Sequence, residues 1–298
     1  MALFDAFRYD GKRVLVVGGA TGMGAAAAEL AQEGGAELVV MDRAPVTLEG
    51  ATAIELNLAE RGSIERAVSA CRGRVHAVFS CAGVDEGTPG IERINFVGHR
   101  YLVEQLLAND QIPRGSAICF ISSTAGMGWE RNFELLSEVL DIHDYDEAAQ
   151  WMVDHGQASY MGTKQAICAY VARECMRFLK RGIRINAICP GPTDTPLARA
   201  NPEAWLGTGS DYRGELGIEA SQPMEQAFPL VFLCSDASSA ITGITLVSDA
   251  GWGSSALTGA FPPAEMMGKL LFGRISIEEF MEQVGGLSAF APSSGAEA

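Results

Sequence analysis

The stretch Lys12-Arg13-Val14-Leu15-Val16-Val17 runs directly into Gly18-Gly19-Ala20-Thr21-Gly22-Met23-Gly24, and the helix-forming run Ala25 to Gln32 follows. The first six residues read as a short buried strand. Gly18, Gly22 and Gly24 make a G-x-x-x-G-x-G pattern at its end. Glycines there let the chain turn tightly and let its backbone approach a pyrophosphate. The positive end of the following helix is where such an anion rests. A second strand-like run, Glu37 to Met41, ends at Asp42, eighteen residues after Gly24. A carboxylate in that position binds ribose hydroxyls and repels a 2′-phosphate, which points to NAD over NADP. Arg43 complicates this, because a basic side chain can bind that phosphate. Strand, glycine turn, helix and acid together carry far more weight than the glycines alone.

Further apolar runs at Ala53–Leu56, Ala77–Ser80, Ala117–Ser122, Arg184–Ile188 and Thr245–Ser248 read as strands. Helical spacing falls near Met23–Glu33, Ser63–Cys71, Ile94–Leu107, Ser159–Leu179 and Met224–Cys234. Alternating strands and helices predict an α/β fold with one doubly wound parallel sheet. Gly18, Asp42, Asn57, Gly83, Ser123 and Pro190 each fall just after a strand, where such sheets bind ligands.

Chemistry is carried by Ser159-Tyr160-Met161-Gly162-Thr163-Lys164. Four residues apart on a helix, Lys164 lies one turn from Tyr160 on the same face. A cation there favours the phenolate, and the sequence predicts a tyrosine pKa below its usual value of about 10. Such a phenol can exchange a proton with an alcohol or carbonyl oxygen.

These motifs resemble those of the short-chain dehydrogenase/reductase family, from about Gly11 to Gly253. The resemblance implies a Rossmann-like fold and an oxidoreductase using NAD, with Asn95, Ser123, Tyr160 and Lys164 as the catalytic set. Ser123 could instead cap local backbone, and Asn95 could be a helix cap. The implied cofactor site takes Gly18, Thr21, Gly22, Met23 and Gly24 from the first turn. It takes Asp42 and Arg43, then Asn57 and Leu58, from the next two strand ends, and Cys81, Ala82 and Gly83 from the fourth. Tyr160 and Lys164 join it, with Pro190, Gly191, Thr193 and Thr195 from a segment similar to the family's P-G-x-x-x-T. The family's N-N-A-G turn stands here as Ser80-Cys81-Ala82-Gly83, without either asparagine.

Ser123 and Tyr160 are thirty-seven residues apart, far more than in the common family pattern. The extra stretch, 127–156, looks like the insertion of bacterial hydroxysteroid dehydrogenase/carbonyl reductases and of some aromatic-alcohol dehydrogenases. The Cys81-Ala82-Gly83 turn and Thr195-Pro196-Leu197 also look like that branch. A bulky apolar alcohol or ketone such as a hydroxysteroid is then the implied substrate, held by Ser123, Met127, Trp129, Leu197 and Trp205. The alternatives are an aromatic or terpene alcohol, or a regulatory protein that binds NAD without turnover.

At 298 residues and 48% hydrophobic, the chain can bury a large core. Residues 1–255 read as the nucleotide-binding and catalytic domain, with the insertion and a substrate lid at 196–222. Residues 256–298 read as a C-terminal extension, with 292–298 disordered. The insertion carries eight acids and one arginine, and Leu135, Leu136, Val139, Leu140 and Ile142 recur at helical spacing. In the extension, apolar patches run from Met266 to Phe272 and from Ile275 to Val284. A net charge of −15 argues against a nucleic-acid partner. No apolar run approaches the roughly 20 residues of a membrane helix.

Seven scattered cysteines without a C-x-x-C read as free thiols in a reducing compartment, hence a cytoplasmic protein. His143 and His155, among acids, have no recognised ligand spacing, and no metal is expected. A homo-oligomer is expected, dimer favoured over tetramer, meeting through Met224–Cys234 and Thr245–Ser248 because the insertion obstructs the other face.

Overall fold

Along the first strand, Leu15 and Val17 pack into one hydrophobic core while Val14 and Val16 pack into another. Val39 and Met41 against Leu38 and Val40 repeat that alternation, as do Ile118 and Phe120 against Ala117 and Cys119. Strands buried on both faces need helices on both faces, which is what a parallel sheet provides. The computed structural model describes residues 4–283. Its strands are β1 (Arg13–Val17), β2 (Glu37–Asp42), β3 (Thr52–Glu55), β4 (Ala77–Ser80), β5 (Ala117–Ile121), β6 (Arg184–Pro190) and β7 (Thr245–Ser248). They form one parallel sheet in the order β3-β2-β1-β4-β5-β6-β7. The order reverses between β1 and β4, and the crevice beyond the carboxyl ends opens at that point.

The principal helices, in chain order, are α1 (Gly22–Glu33), α2 (Arg61–Ala70), α3 (Gly98–Ala108), α4 (Phe133–Asp141), α5 (Tyr145–Asp154) and α6 (Tyr160–Lys180). Then come α7 (Pro196–Ala200), α8 (Pro202–Leu206), α9 (Ser210–Leu216) and α10 (Pro223–Cys234). The last three are α11 (Trp252–Leu257), α12 (Glu265–Leu271) and α13 (Ile277–Gln283). Residues of α1 and α10 pack together in the core on one face of the sheet; those of α2, α3 and α6 fill the other. A single π-helical stretch, Arg93–Val97, leads into α3.

The insertion folds as a short 3-10 turn followed by α4 and α5, which pack on α3 and α6. Arg100 of α3, only 6% exposed, donates to the Val139 and Ile142 carbonyls at 2.7 Å each. Those carbonyls lie at the C-terminal end of α4, where intrahelical donors run out, so a buried guanidinium helps to satisfy them. Arg173 of α6 donates to Ser137 O at 2.8 Å, and Tyr145 of α5 donates to Leu58 O at 2.7 Å. The insertion is therefore built into the core that holds Leu15 and Val17, and covers α3 and α6 on their outer side.

The stretch 196–222, expected from sequence to be a substrate lid, forms α7, α8 and α9. The extension folds back against it. Tyr212 of α9 is buried in a small third core with Trp252, Ala256, Phe261 and Ala264. The first apolar patch becomes α12 and the second enters α13, with Val284 and 292–298 lying outside the described residues. No described helix is long and apolar enough to cross a membrane.

Candidate active site

Two glycines set the floor of the crevice. A Cβ on Gly24 would stand 2.0 Å from Gly18 O, and one on Gly18 would stand 2.4 Å from Ala82 N. Gly18 also has φ +82°, in the left-handed region. The glycine turn, the start of α1 and the turn after β4 are therefore in backbone contact. The crevice, about 340 Å³, is lined by Gly18, Thr21, Gly22, Met23, Gly24, Asp42, Arg43, Asn57, Leu58, Cys81, Ala82, Gly83, Tyr160, Lys164, Thr195 and Leu197 among others. Most of the residues expected from sequence to hold a cofactor thus meet in one place.

The others stand differently. Pro190 ends β6, and Gly191 packs against Asp249, where a Cβ would lie 2.8 Å away. Thr193 is buried and donates to Gly191 O at 2.9 Å, so its hydroxyl shapes the segment. Asn57 spends its side chain locally, accepting from Ala59 N and donating to Glu60 Oε1 at the start of α2. Asp42 accepts from Ala20 N at 2.9 Å and from Ala44 N at 2.8 Å, which fixes its carboxylate beside the glycine turn.

Tyr160 is the first residue of α6, whose N-cap is Ser159 accepting from Gly162 N at 3.0 Å. Glu86 accepts the Tyr160 backbone N–H at 2.6 Å, placing a carboxylate at the positive end of the helix. The Ser123 hydroxyl reaches the Tyr160 phenol and favours its ionised form. The Trp205 ring stands edge-on to Tyr160 with centroids 4.6 Å apart. Ser122, by contrast, donates to Lys164 O at 2.8 Å and is structural.

The sequence predicts a tyrosine pKa below its usual value. The structure corrects this for the protein alone. Burial pushes Tyr160 up to about 12, more than the nearby Ser123 hydroxyl lowers it, and Asp85 adds a further rise. Lys164 lies 5.5 Å from the Tyr160 ring centre but is itself buried, which lowers it to about 8. Its ammonium has three donors. One goes to Ile121 O at 3.0 Å. A buried ammonium facing the crevice with donors to spare fits ribose hydroxyls of a dinucleotide. So does the open first turn of α1, which carries no acidic residue.

Asn95 is fully buried. Its amide donates to Val84 O at 3.1 Å and accepts from Val84 N at 2.8 Å. Its side chain therefore holds the chain after the β4 turn, beside Lys164: a Cβ on Gly83 would lie 3.5 Å from Asn95 Oδ1 and 3.6 Å from Lys164 Nζ. Of the expected substrate residues, Leu197 and Trp205 border the site. Trp129 does not; it packs edge-to-face on Phe133 and against the core shared with the insertion. Met127 is held by its backbone, its carbonyl accepting from Gln165 at 3.2 Å.

Sequence reasoning missed Glu86, Gln165 and His99. Gln165 follows Lys164 and holds the post-serine loop. His99 lies four residues after Asn95, on the same helix face, and that spacing was the available signal.

A sequence model of the family described as enoyl-(acyl carrier protein) reductase matches residues 143–253. A coniferyl-alcohol dehydrogenase of Pseudomonas sp. strain HR199 is 26% identical over 254 residues, 82% of this chain and 97% of that one. A 3-alpha-hydroxysteroid dehydrogenase/carbonyl reductase of Comamonas testosteroni is 26% identical, over 80% of this chain and 95% of its own. The crystal structure of the 3-alpha-hydroxysteroid dehydrogenase from Pseudomonas sp. B-0831, complexed with NADH, superposes with a TM-score of 0.67 at 28% identity. That match covers 84% of this chain and 99% of the other. The sheet order and glycine turn, together with these relatives, support an oxidoreductase of the dehydrogenase kind. In sequence and fold the chain is similar to proteins of the short-chain dehydrogenase/reductase family, whose members use a nicotinamide cofactor.

Proposed function

We propose that the protein is an NAD-dependent dehydrogenase/reductase interconverting a secondary alcohol and a ketone on a bulky apolar substrate, with a hydroxysteroid as the leading class. The observation that carries this is Tyr160 and Lys164 together in the lining of the crevice, the ammonium 5.5 Å from the ring centre, with Ser123 near enough to the phenol to favour its ionised form. A bound nicotinamide would take or give the hydride. In oxidation Tyr160 takes the hydroxyl proton of the alcohol; in reduction it returns a proton to the carbonyl oxygen. Ser123 donates to the same oxygen and stabilises charge that develops there. Lys164 holds the ribose with its spare donors and keeps positive potential near the phenol. Asn95 fixes the chain beside Lys164.

Asp42 supports NAD, since its fixed carboxylate opposes a 2′-phosphate. Pro196, Leu197 and Trp205 support an apolar substrate wall. The relatives named above act, by their names, on a coniferyl alcohol and on 3-alpha-hydroxysteroids. A turnover screen of hydroxysteroids, monoterpene alcohols and aromatic alcohols with NAD and NADP tests the reading. Turnover of none of them, with NADH binding intact, would favour the regulatory alternative.

The same reading extends to assembly and location. The insertion packed on α3 and α6 leaves the edge strand β7 and α10, with Phe228 exposed, to meet a second copy. A homodimer through that edge should bury at least about 1,000 Å². Sedimentation at micromolar concentration checks it, and a monomer would defeat it. Seven unpaired thiols support a reducing, cytoplasmic setting.

A further inference from the structure

His99 lies in the first turn of α3, 2% exposed, between β4 and β5. Its ring stands edge-on to Phe120 with centroids 6.5 Å apart. Nε2 is 2.9 Å from Ala82 O, and Nδ1 is 2.5 Å from Ser80 Oγ. A carbonyl can only accept, so Nε2 carries the proton. Nδ1 is then an acceptor, and Ser80 donates to it. Both ends of the imidazole are thus spent on one turn, Ser80 to Gly83. Burial keeps the ring neutral, with its pKa down at about 4.

That turn is the part of the cofactor crevice that β4 supplies: Cys81, Ala82 and Gly83 all line it. Its amides at Cys81 and Ala82 both donate to Val17 O, at 2.8 and 2.9 Å. Ala82 also touches Gly18 so closely that no side chain fits between them. A displacement of Ala82 would therefore move the glycine turn or open a gap beneath it. Two asparagines that elsewhere in the family occupy this turn are replaced here by Ser80 and Cys81. The polar bonds come from the helix instead.

We propose that His99 is a positioning residue for the dinucleotide: as the neutral Nε2–H tautomer it clamps Ala82 O and Ser80 Oγ, and so holds the β4 turn at the height the cofactor requires. The proposal rests on a nicotinamide dinucleotide binding in this crevice. It adds to that reading a residue that touches neither cofactor nor substrate.

The test is NADH affinity, read by cofactor fluorescence, together with separate kcat and KM values and a melting temperature. His99→Leu keeps apolar bulk and removes both bonds. It should weaken NADH binding about tenfold, as expected for two lost buried hydrogen bonds, with kcat at saturating cofactor within about threefold of wild type. His99→Gln can place an amide N–H near the Nε2 position and should recover most of the affinity. Ser80→Ala removes only the Nδ1 partner and should weaken binding by about three- to fivefold. It decides the matter if His99→Leu fails to fold. A lower melting temperature with unchanged NADH affinity in the Leu and Ala variants would overturn the proposal. So would a Gln variant no better than Leu. Wild-type protein that bound neither NADH nor NADPH would overturn the cofactor reading itself, and is distinguishable because it involves no variant.

Discussion

Lys164 sets its ammonium 5.5 Å from the centre of the Tyr160 ring while giving one hydrogen bond to Ile121 O at 3.0 Å. The charge beside the tyrosine is thus held where a charge is costly. Burial lowers Lys164 from its ordinary 10.5 to about 8, and this links stability to pH.

Between about pH 8 and 10.5 the unfolded chain holds a proton on this lysine that the folded chain has lost. Stability from this group therefore rises with pH across that window. Below it, both states are protonated and the cost of the buried ammonium is fully present. At about 1.4 kcal/mol per unit, the penalty near pH 7 is on the order of 3 kcal/mol, before the Ile121 bond offsets part of it. Lys164→Met, an apolar chain of similar length, should leave the cofactor-free protein as stable or more stable at pH 7 and lose most activity. Thermal melts of the two proteins at pH 7 and pH 10 check this, and the gap should narrow at pH 10. A Met variant markedly less stable at pH 7 would mean that the Ile121 bond outweighs desolvation.

Tyr160→Phe removes one oxygen and leaves the ring against Trp205. The variant should fold, bind NADH nearly as wild type does, and lose roughly two to four orders of magnitude in turnover, the usual worth of general acid–base assistance. Because burial and Asp85 push the phenol up, the cofactor-free enzyme holds its proton through the neutral range. Asp85→Asn should accordingly move the alkaline limb of the pH–rate profile downward. An unmoved limb would show that Asp85 does not act on Tyr160 in the working complex.

The sheet was readable because β1, β2, β4, β5 and β6 are each largely apolar runs buried on both faces, bounded by turn residues. Their ends fall within about two residues of the expected ones. The placing of Tyr160 and Lys164 together was readable because four residues on one helix dictate that geometry. The Tyr160 pKa was not, because burial depends on what the lid and loops do. Trp129 was misplaced for a related reason: a tryptophan after the serine strand can turn to the substrate side or to the insertion, and Phe133 decides it. His99 was missed because a histidine inside an apolar helix is ordinary until its two partners on the β4 turn are seen.

Asp42 holds the glycine turn through Ala20 N and its own loop through Ala44 N, so its removal has two effects. Asp42→Ala should relax the preference for NAD over NADP, as the repulsive carboxylate goes and Arg43 stays. It should also weaken NAD binding, because Ala20 loses its acceptor. The ratio of kcat/KM for the two cofactors is the quantity to measure. A wild type that already prefers NADP would make Arg43 the deciding residue.

The extension should act on substrate rather than on cofactor. It touches both the 196–222 segment and the loop after Ser123, the two segments proposed to wall the substrate. Tyr212 of the lid donates to Ala250 O at 3.1 Å and meets Phe261 edge-on at 5.2 Å. On the other wall, Gly128 of the post-serine loop crosses Gly273, both at positive φ, +71° and +64°. A Cβ on Gly128 would stand 2.8 Å from Gly273 N and Leu271 O. Phe261→Ala removes the lid's anchor, and Gly273→Ala adds a methyl at a left-handed position facing Gly128, with a backbone penalty of roughly 1 kcal/mol or more. Each variant should raise KM for the alcohol several-fold and leave KM for NAD within about twofold, if the 196–222 segment and the loop wall the substrate as proposed, since the crevice floor is built from β1, β2 and β4. Measuring both constants in both variants separates the outcomes. Equal shifts in the two KM values would mean a general loosening of the fold, and no shift in either would mean that the extension does not anchor the substrate site.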